Sequence, residues 1–162
     1  MVDTLVPEIV ESLRKLIPEE LVAFVISLMP VLECRGGMVA ARLMEIPFLK
    51  AFLICYLGNM LPLPFIILFI RKIFDFLRRY KFFAKIIKRL EAKTERNKDK
   101  ILKYESWGLL IFVAIPLPGT GGWTGAMMAG LLDMRFKRSL PVLAVGVFIA
   151  GLIMSAVTYG IF

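Results

Sequence analysis

The sequence predicts an all-α polytopic membrane protein of two inverted repeats, each a re-entrant helical hairpin plus one transmembrane helix. Hydrophobic residues fill 59% of the 162 positions and the mean hydropathy is +0.77, whereas soluble domains are about 45–50% apolar. Two apolar segments are long enough to span a bilayer, and two shorter ones end at proline and glycine breaks. We therefore expect residues 1–162 to form a single membrane domain, which also carries an N-terminal interfacial helix and a basic amphipathic cytoplasmic helix.

The interfacial helix is predicted over residues 5–17. Apolar residues recur there at helical spacing, at Leu5, Ile9 and Leu13. The amino-terminal segment that contains this helix is acidic, with Asp3, Glu8, Glu11, Glu19 and Glu20. This composition favours a position at the outer surface of the membrane.

Repeat 1 is predicted over residues 21–70. Its first apolar run, residues 21–32, is too short to cross a bilayer, because a spanning helix needs about 20 residues. A second short apolar helix is expected over 37–44, after a break that contains two charges and two glycines. Residues 48–70 then form a full span, although glycine, asparagine and proline interrupt it.

Repeat 2 is predicted over residues 106–162 and has the same order of segments. A short apolar run over 107–118 precedes a glycine-rich break, a short helix over 123–132 and a full span over 139–161. Because each repeat crosses the membrane once, the second must be inverted relative to the first. An alternative remains open, in which each pair of short helices is one kinked full span.

The basic segment, residues 71–105, holds 13 Lys or Arg and 5 Asp or Glu, so its net charge of +8 equals that of the whole chain. Cytoplasmic loops of membrane proteins carry such an excess of positive charge. We expect this segment to be cytoplasmic, at the inner face of a plasma membrane, with both termini external. An amphipathic helix with this pattern can rest on anionic lipid. A nucleic-acid-binding helix would look similar, but we expect no nucleic-acid partner.

The residue types present argue against catalysis. The chain has no histidine and only two cysteines, which removes the commonest metal ligand and the usual general base near neutral pH. No nucleophile–base pair or metal-ligand set is visible. We therefore expect no enzyme activity, no catalytic residues, no metal and no cofactor.

The first tip, residues 33–37, places Glu33 and Arg35 between apolar segments. A charge at the centre of a bilayer helix costs about 2.5–3.5 kcal/mol on insertion scales. The two side chains could form a structural ion pair; alternatively, Arg35 binds an anionic headgroup and Glu33 binds a proton or cation. Gly36 and Gly37 permit positive φ, so their N–H groups could help to bind an anion.

The second tip, residues 116–124, has a flexible backbone, two hydroxyls and a helix start. A helix amino terminus attracts anions, although small residues also favour close helix packing in membranes. Asn59 could hydrogen-bond within the bundle, and Trp123 could contact a ligand or anchor the chain at the interface. The candidate substrate-binding residues outside the first tip are Asn59, Pro116, Pro118, Gly119, Thr120, Gly121, Gly122, Trp123 and Thr124.

Three motifs resemble the small multidrug export protein family: Glu33-Cys34-Arg35-Gly36, Gly58-Asn59-Met60-Leu61-Pro62 and Ile115-Pro116-Leu117-Pro118-Gly119-Thr120-Gly121. The pattern is also similar to the wider DedA/VTT group, whose members have re-entrant hairpins. That group includes proteins that return polyprenyl-phosphate carriers across the membrane and others that scramble phospholipids. The resemblance implies an anionic lipid headgroup as substrate. DedA-like proteins carry arginines around the second tip, whereas this chain has none there.

These observations predict a flippase-like transporter that moves an amphiphilic, anionic, lipid-like substrate, such as a polyprenyl phosphate, through a site where the tips meet. Two full spans enclose little volume, so we expect a homodimer. Proton or cation coupling would suit Glu33. Two alternatives remain open: export of small amphipathic compounds or ions, and a non-transporting scaffold that recruits a partner through its basic loop.

Overall fold

The described residues of the computed structural model are 2–77, 98–117, 119–132 and 134–160. In this part of the chain the secondary structure is helical, without strands, as predicted. The helices are α1 (Val2–Arg14), α2 (Glu19–Leu28), α3 (Glu33–Leu43), α4 (Phe48–Met60), α5 (Leu63–Leu77), α6 (Lys98–Ala114), α7 (Gly122–Leu131) and α8 (Phe136–Tyr159).

Two helical stretches are long and apolar enough to cross a membrane, Phe48–Ile70 and Phe136–Tyr159. The first coincides with the predicted span 48–70, and the second overlaps the predicted span 139–161 but begins and ends slightly earlier. Only 33% of the most apolar window in each stretch is buried. The first stretch comprises α4 and the start of α5, joined at Leu61 and Pro62, and it exposes large side chains at nearly every fourth position: Leu49, Leu53, Leu57, Leu61, Phe65, Leu68 and Phe69.

Several predicted segments differ from the structure in extent. The short run expected over 107–118 is the second half of α6 and ends at Ala114, because Pro116 disfavours helical conformation at Ile115. The interfacial helix expected over 5–17 is α1, which begins at Val2 and ends at Arg14. The chain turns over residues 15–17, and Pro18 disfavours helical conformation at Ile17. The basic segment 71–105 contributes the end of α5 and the start of α6. Its centre, residues 78–97, lies outside the described residues, and so does most of the predicted amphipathic helix.

The helices pack around two apolar clusters. Helix α2 packs against α3 and α4, and α6 packs against α8. Helices α3 and α7 each contact both Phe48–Ile70 and α8. One cluster of buried side chains is drawn from α1 to α4 and the turns between them, and the other mainly from α5 to α8. Helices α3 and α7 therefore lie between the two long stretches, Phe48–Ile70 and α8.

The break between α2 and α3 falls earlier than predicted, at residues 29–32. Met29 is extended, with φ −71° and ψ 138°, as expected of a residue that precedes a proline, here Pro30. Gly36 and Gly37 consequently lie inside α3 and not at its start, and their φ values are not positive. The prediction that they free the backbone at the tip is wrong.

Gly36 and Gly37 instead allow neighbouring segments to approach α3 closely. A Cβ on Gly37 would lie 1.7 Å from Ser27 Oγ and 2.9 Å from Cys55 Sγ. A Cβ on Gly36 would lie 2.6 Å from Leu32 Cβ. Small residues at helix contacts are the usual way in which membrane helices pack tightly.

The carboxyl-terminal end of α8 is attached to the turn between α3 and α4. The Tyr159 hydroxyl donates a hydrogen bond to the Ile46 carbonyl oxygen at 2.9 Å, and the Arg42 guanidinium lies 5.5 Å from the centre of the Tyr159 ring. Gly160, in the left-handed conformation, ends the helix. These contacts connect the end of the chain to its first half.

Gly58→Ala is expected to destabilise the protein by about 1–3 kcal/mol, the usual cost of overpacking a core. Its Cβ would lie 2.7 Å from the Phe24 carbonyl oxygen and 3.1 Å from Ser27 Cβ, so α2 and α4 would have to separate. The measurement is thermal unfolding in detergent, followed by circular dichroism. Gly108→Ala is the matched control, because its Cβ would have no heavy atom within 4 Å; equal melting temperatures for the two variants would contradict the prediction.

Candidate functional site

The candidate site is the contact between the start of α3 and the start of α7. The Glu33 carboxylate accepts hydrogen bonds from the backbone N–H groups of Gly122 at 3.2 Å and Trp123 at 3.1 Å. The first four N–H groups of a helix have no partner within the helix, and a negative charge near them is favourable. Glu33 therefore caps α7 from the other half of the chain, and its side chain is buried, with 6% exposed.

Gly121 makes this approach possible. It precedes α7 with φ +137°, a conformation that favours glycine. A Cβ at this position would lie only 2.0 Å from Glu33 Oε2. Glycine is therefore required here for both backbone conformation and space.

Glu33 itself has a left-handed backbone, with φ +51°. A non-glycine residue in this conformation carries strain of about 1–3 kcal/mol and persists only where the surrounding structure fixes it. Here the residue follows a break and its side chain is fixed by α7. Such outliers cluster at ligand and switch sites, which supports a functional role for this position.

Arg35, two residues further along α3, binds the α6–α7 loop, residues 115–121. Its guanidinium donates to the Leu117 carbonyl oxygen, to the Thr120 carbonyl oxygen at 2.7 Å and to Thr120 Oγ1 at 3.1 Å. Arg35 is partly buried. Hydrogen bonds from a charged donor are about twice as strong as neutral ones, so this side chain holds the loop against α3.

Thr120 organises the loop from within. Its hydroxyl donates to the Ile115 carbonyl oxygen at 2.7 Å and accepts from the Leu117 N–H at 3.1 Å. These bonds satisfy backbone groups just after α6, where the last carbonyls of a helix lack partners. The hydroxyl and carbonyl of Thr120 are thereby fixed in position for Arg35.

Glu33 and Arg35 do not form an ion pair with each other. The ion pairs within 4.0 Å in the described part of the chain join Arg14 with Glu19 and Lys50 with Glu20. The hydrogen bond from Lys50 is the main reason why the pKa of the Glu20 carboxyl lies below its ordinary value. The interpretation of Glu33 and Arg35 as a local structural pair is therefore wrong; each binds the opposite loop or helix.

Two polar side-chain atoms near the start of α7 lack hydrogen-bond partners although they are buried, Asn59 Oδ1 and Trp123 Nε1. Asn59 is only 2% exposed, and its Oδ1 lies 3.3 Å from the place where a Cβ on Gly122 would be. Buried polar atoms are nearly always satisfied. An acceptor and a donor without partners at one helix start are therefore candidate contacts for a polar ligand.

The structure brings together most, but not all, of the predicted site residues. Glu33, Arg35, Asn59 and the stretch 120–123 lie together at the contact between α3 and α7. Thr124 lies one residue further along, where its hydroxyl donates to the Gly121 carbonyl oxygen at 3.3 Å. The binding roles of all these residues stay predictions.

The remaining predicted residues lie at the edge of the site, within α3, or outside the described part of the chain. Pro116 is partly buried in the α6–α7 loop. Gly119 has φ +84°, and a Cβ added at this position would have no neighbouring heavy atom within 4 Å. Pro118 lies outside the described residues, and Gly36 and Gly37 pack inside α3. Leu117 belongs to the predicted second tip but was not among the candidate binding residues, because it contributes a backbone carbonyl oxygen, which its side chain does not signal.

The chemistry available at this contact is recognition and proton exchange. It offers a carboxylate, a guanidinium, helix N–H groups and an amide. Cys34 and Cys55 are buried free thiols. Within the described ranges, no three His, Cys, Asp or Glu side chains are placed to hold a metal ion.

Together, the fold and the apolar helices define an α-helical membrane protein whose two halves meet at a polar contact. Residues 33–153 match the family described as "Putative small multi-drug export protein". Since the match covers well over half of the chain, the protein belongs to this family. The matched region begins at Glu33 and includes both tips. No curated protein and no solved structure matches the chain.

Gly121→Ala is expected to destabilise the protein more than Gly119→Ala, by about 1–3 kcal/mol, the cost of leaving a buried charged acceptor without its partners. Both glycines have positive φ, so both variants carry backbone strain, but only the Cβ at 121 would collide with Glu33. The measurement is unfolding in detergent by chemical denaturant. In a Glu33→Ala background, the difference in unfolding free energy between the two glycine variants should shrink. An unchanged difference there would contradict the contact assigned between Gly121 and Glu33.

Proposed function

We propose that this family member moves an amphiphilic, anionic, lipid-like substrate, such as a polyprenyl phosphate, across the membrane, and that the contact between α3 and α7 is its recognition site. The observation that carries this proposal is the pair of cross-contacts made by Glu33 and Arg35. Both charges come from the first half of the chain, and both bind the second half. Charges inside membrane proteins commonly mark substrate or ion pathways.

The chemistry of the contact favours an anionic headgroup. Arg35 is a permanent cation, and the start of α7 provides backbone N–H groups together with the positive end of a helix dipole. The second half supplies no arginine at this place, so Arg35 and the backbone would carry the recognition. The proposed likeness to the DedA/VTT group rests on the same residues.

We propose that α2–α3 and α6–α7 are re-entrant hairpins of two inverted repeats. Helices α2, α3 and α7 have 10, 11 and 10 residues, which is too short for a span of about 20 residues. Helix α6 has 17 residues, but five of its first eight are charged, so its apolar part is short as well. The pairing of α2 with α4 resembles that of α6 with α8, which supports equivalent roles. Broken helices that meet near the bilayer centre are a transporter architecture.

The orientation and assembly follow from charge and exposure. The basic segment 71–105 would face the cytoplasm of a plasma membrane, with both termini external. The exposed apolar faces of the two spans suit lipid, or a second copy of the chain in a homodimer. Glu33 is the candidate for proton or cation coupling, because it is the carboxylate at the contact.

A second candidate function is export of small amphipathic compounds or ions. The observation in its favour is the name of the matched family. It uses the same site but requires no lipid tail on the substrate. The third candidate, a non-transporting scaffold, places the function in residues 78–89 and makes Glu33 and Arg35 dispensable.

Glu33→Gln and Arg35→Ala are each expected to reduce transport at least about ten-fold, the effect of losing one charge-assisted hydrogen bond. The assay is leaflet exchange of a labelled polyprenyl phosphate in liposomes containing the purified protein, under a pH gradient of either sign. Circular dichroism checks that both variants fold.

The matched controls are Glu20→Gln and Lys50→Ala, which alter an exposed ion pair away from the contact and should leave exchange unchanged. Exchange no faster than in protein-free liposomes would overturn the lipid proposal. Efflux of a tailless amphipathic cation, with no lipid exchange, would favour the export alternative. Loss of function only on charge reversal within 78–89 would favour the scaffold.

A further inference from the structure

The Glu33 carboxylate lies where the oxyanion of a ligand would bind. It accepts hydrogen bonds from the N–H groups of Gly122 and Trp123. These are the first N–H groups of α7, and an anion at a helix amino terminus binds to such groups. We propose that Glu33 is an internal competitor for this site, and that a phosphate-monoester headgroup binds by displacing the Glu33 carboxylate from α7. This inference rests on the proposed function, since it concerns the same anionic substrate.

The internal contact is formed at a cost. Glu33 adopts φ +51°, and the carboxylate reaches α7 only because Gly121 lacks a side chain. Strain at this residue lowers the net stability of the contact. A ligand therefore needs less binding free energy to displace the Glu33 carboxylate than it would need to displace an unstrained cap. This favours exchange of the carboxylate for a ligand.

A second observation identifies the ligand more closely. Asn59 is 2% exposed, and its Oδ1 lies without a partner beside Gly122. An amide oxygen needs a donor, and an ionised carboxylate has none. A phosphate monoester that retains one proton offers anionic oxygens for the N–H groups of α7 and an O–H for Asn59. A phosphodiester offers no such O–H.

The surroundings are compatible with the headgroup of an amphiphile. A Cβ on Gly122 would lie 3.1 Å from Val147 Cγ2 and 3.3 Å from Leu63 Cδ1, so apolar groups of both spans border the polar atoms.

The test measures binding of decyl phosphate to the protein in uncharged detergent, by the fluorescence of Trp123. The chain has two tryptophans, and Trp107, 67% exposed, is replaced by Phe in all samples. At about pH 7, Glu33→Ala is expected to bind decyl phosphate about ten-fold to a hundred-fold more tightly, because two N–H groups become free. Glu11→Ala, which removes an exposed carboxylate on α1, should bind like the parent protein.

Transport and binding should therefore change in opposite directions when Glu33 is replaced. Without the competitor, the anion binds more tightly and leaves more slowly, while leaflet exchange falls. A merely structural role for Glu33 predicts weaker binding together with slower exchange. If Glu33→Ala does not fold, Glu33→Gln retains the shape with a weaker acceptor, and a gain of about ten-fold is expected.

The role of Asn59 is tested in the Glu33→Ala background at about pH 5, where a phosphate monoester carries one negative charge and one O–H. Decyl phosphate should bind more tightly than its methyl ester, and Asn59→Leu should abolish that preference. A preference that survives Asn59→Leu would overturn the assignment of the donor contact.

Equal affinity of the parent protein and the folded Glu33 variants for decyl phosphate would overturn the competition and leave anion binding intact. Absence of decyl phosphate binding in every variant would contradict both the competition and the proposed anionic substrate.

Discussion

The structure depends on one electrostatic constraint: the first turn of α7 has backbone N–H groups that no residue of its own half caps. Gly121, the residue before α7, has no side chain, and α7 itself contains no charged residue. The carboxylate that satisfies these groups comes from α3, about ninety residues earlier. Because burying unpaired backbone donors is costly, the two halves of the chain must meet at this place.

Close packing of the helices makes this meeting possible. Gly37 and Gly58 allow α2 to approach α3 and α4, and Gly125 and Gly146 do the same where α7 and α8 approach Val113 of α6. Small residues at such contacts replace the hydrophobic driving force that is weak within lipid. Each half is thus compact enough to present its break to the other, while large apolar side chains cover the outside.

The sequence predicted the helical class, both spans and the group of residues around Glu33, Arg35 and 120–123, because charges and glycine clusters are conspicuous in an apolar chain. The prediction for Gly36 and Gly37 was wrong, because glycine is common both in turns and at tight helix contacts. The break falls beside Pro30 instead, so both glycines lie inside α3. The partners of Glu33 and Arg35 could not be predicted. They are backbone atoms of residues such as Leu117 and Trp123, and a backbone partner leaves no residue signature in a single sequence.

Glu33 and Arg35 are two positions apart in α3, yet they hold opposite ends of the α6–α7 break, the start of α7 and the residues after α6. A rigid displacement of α3 moves both side chains together. A half-open intermediate would leave a buried charge without partners, which is expensive. Opening of the junction under the proposed transport function would therefore be cooperative, as in the all-or-none elements from which bistable gates are built.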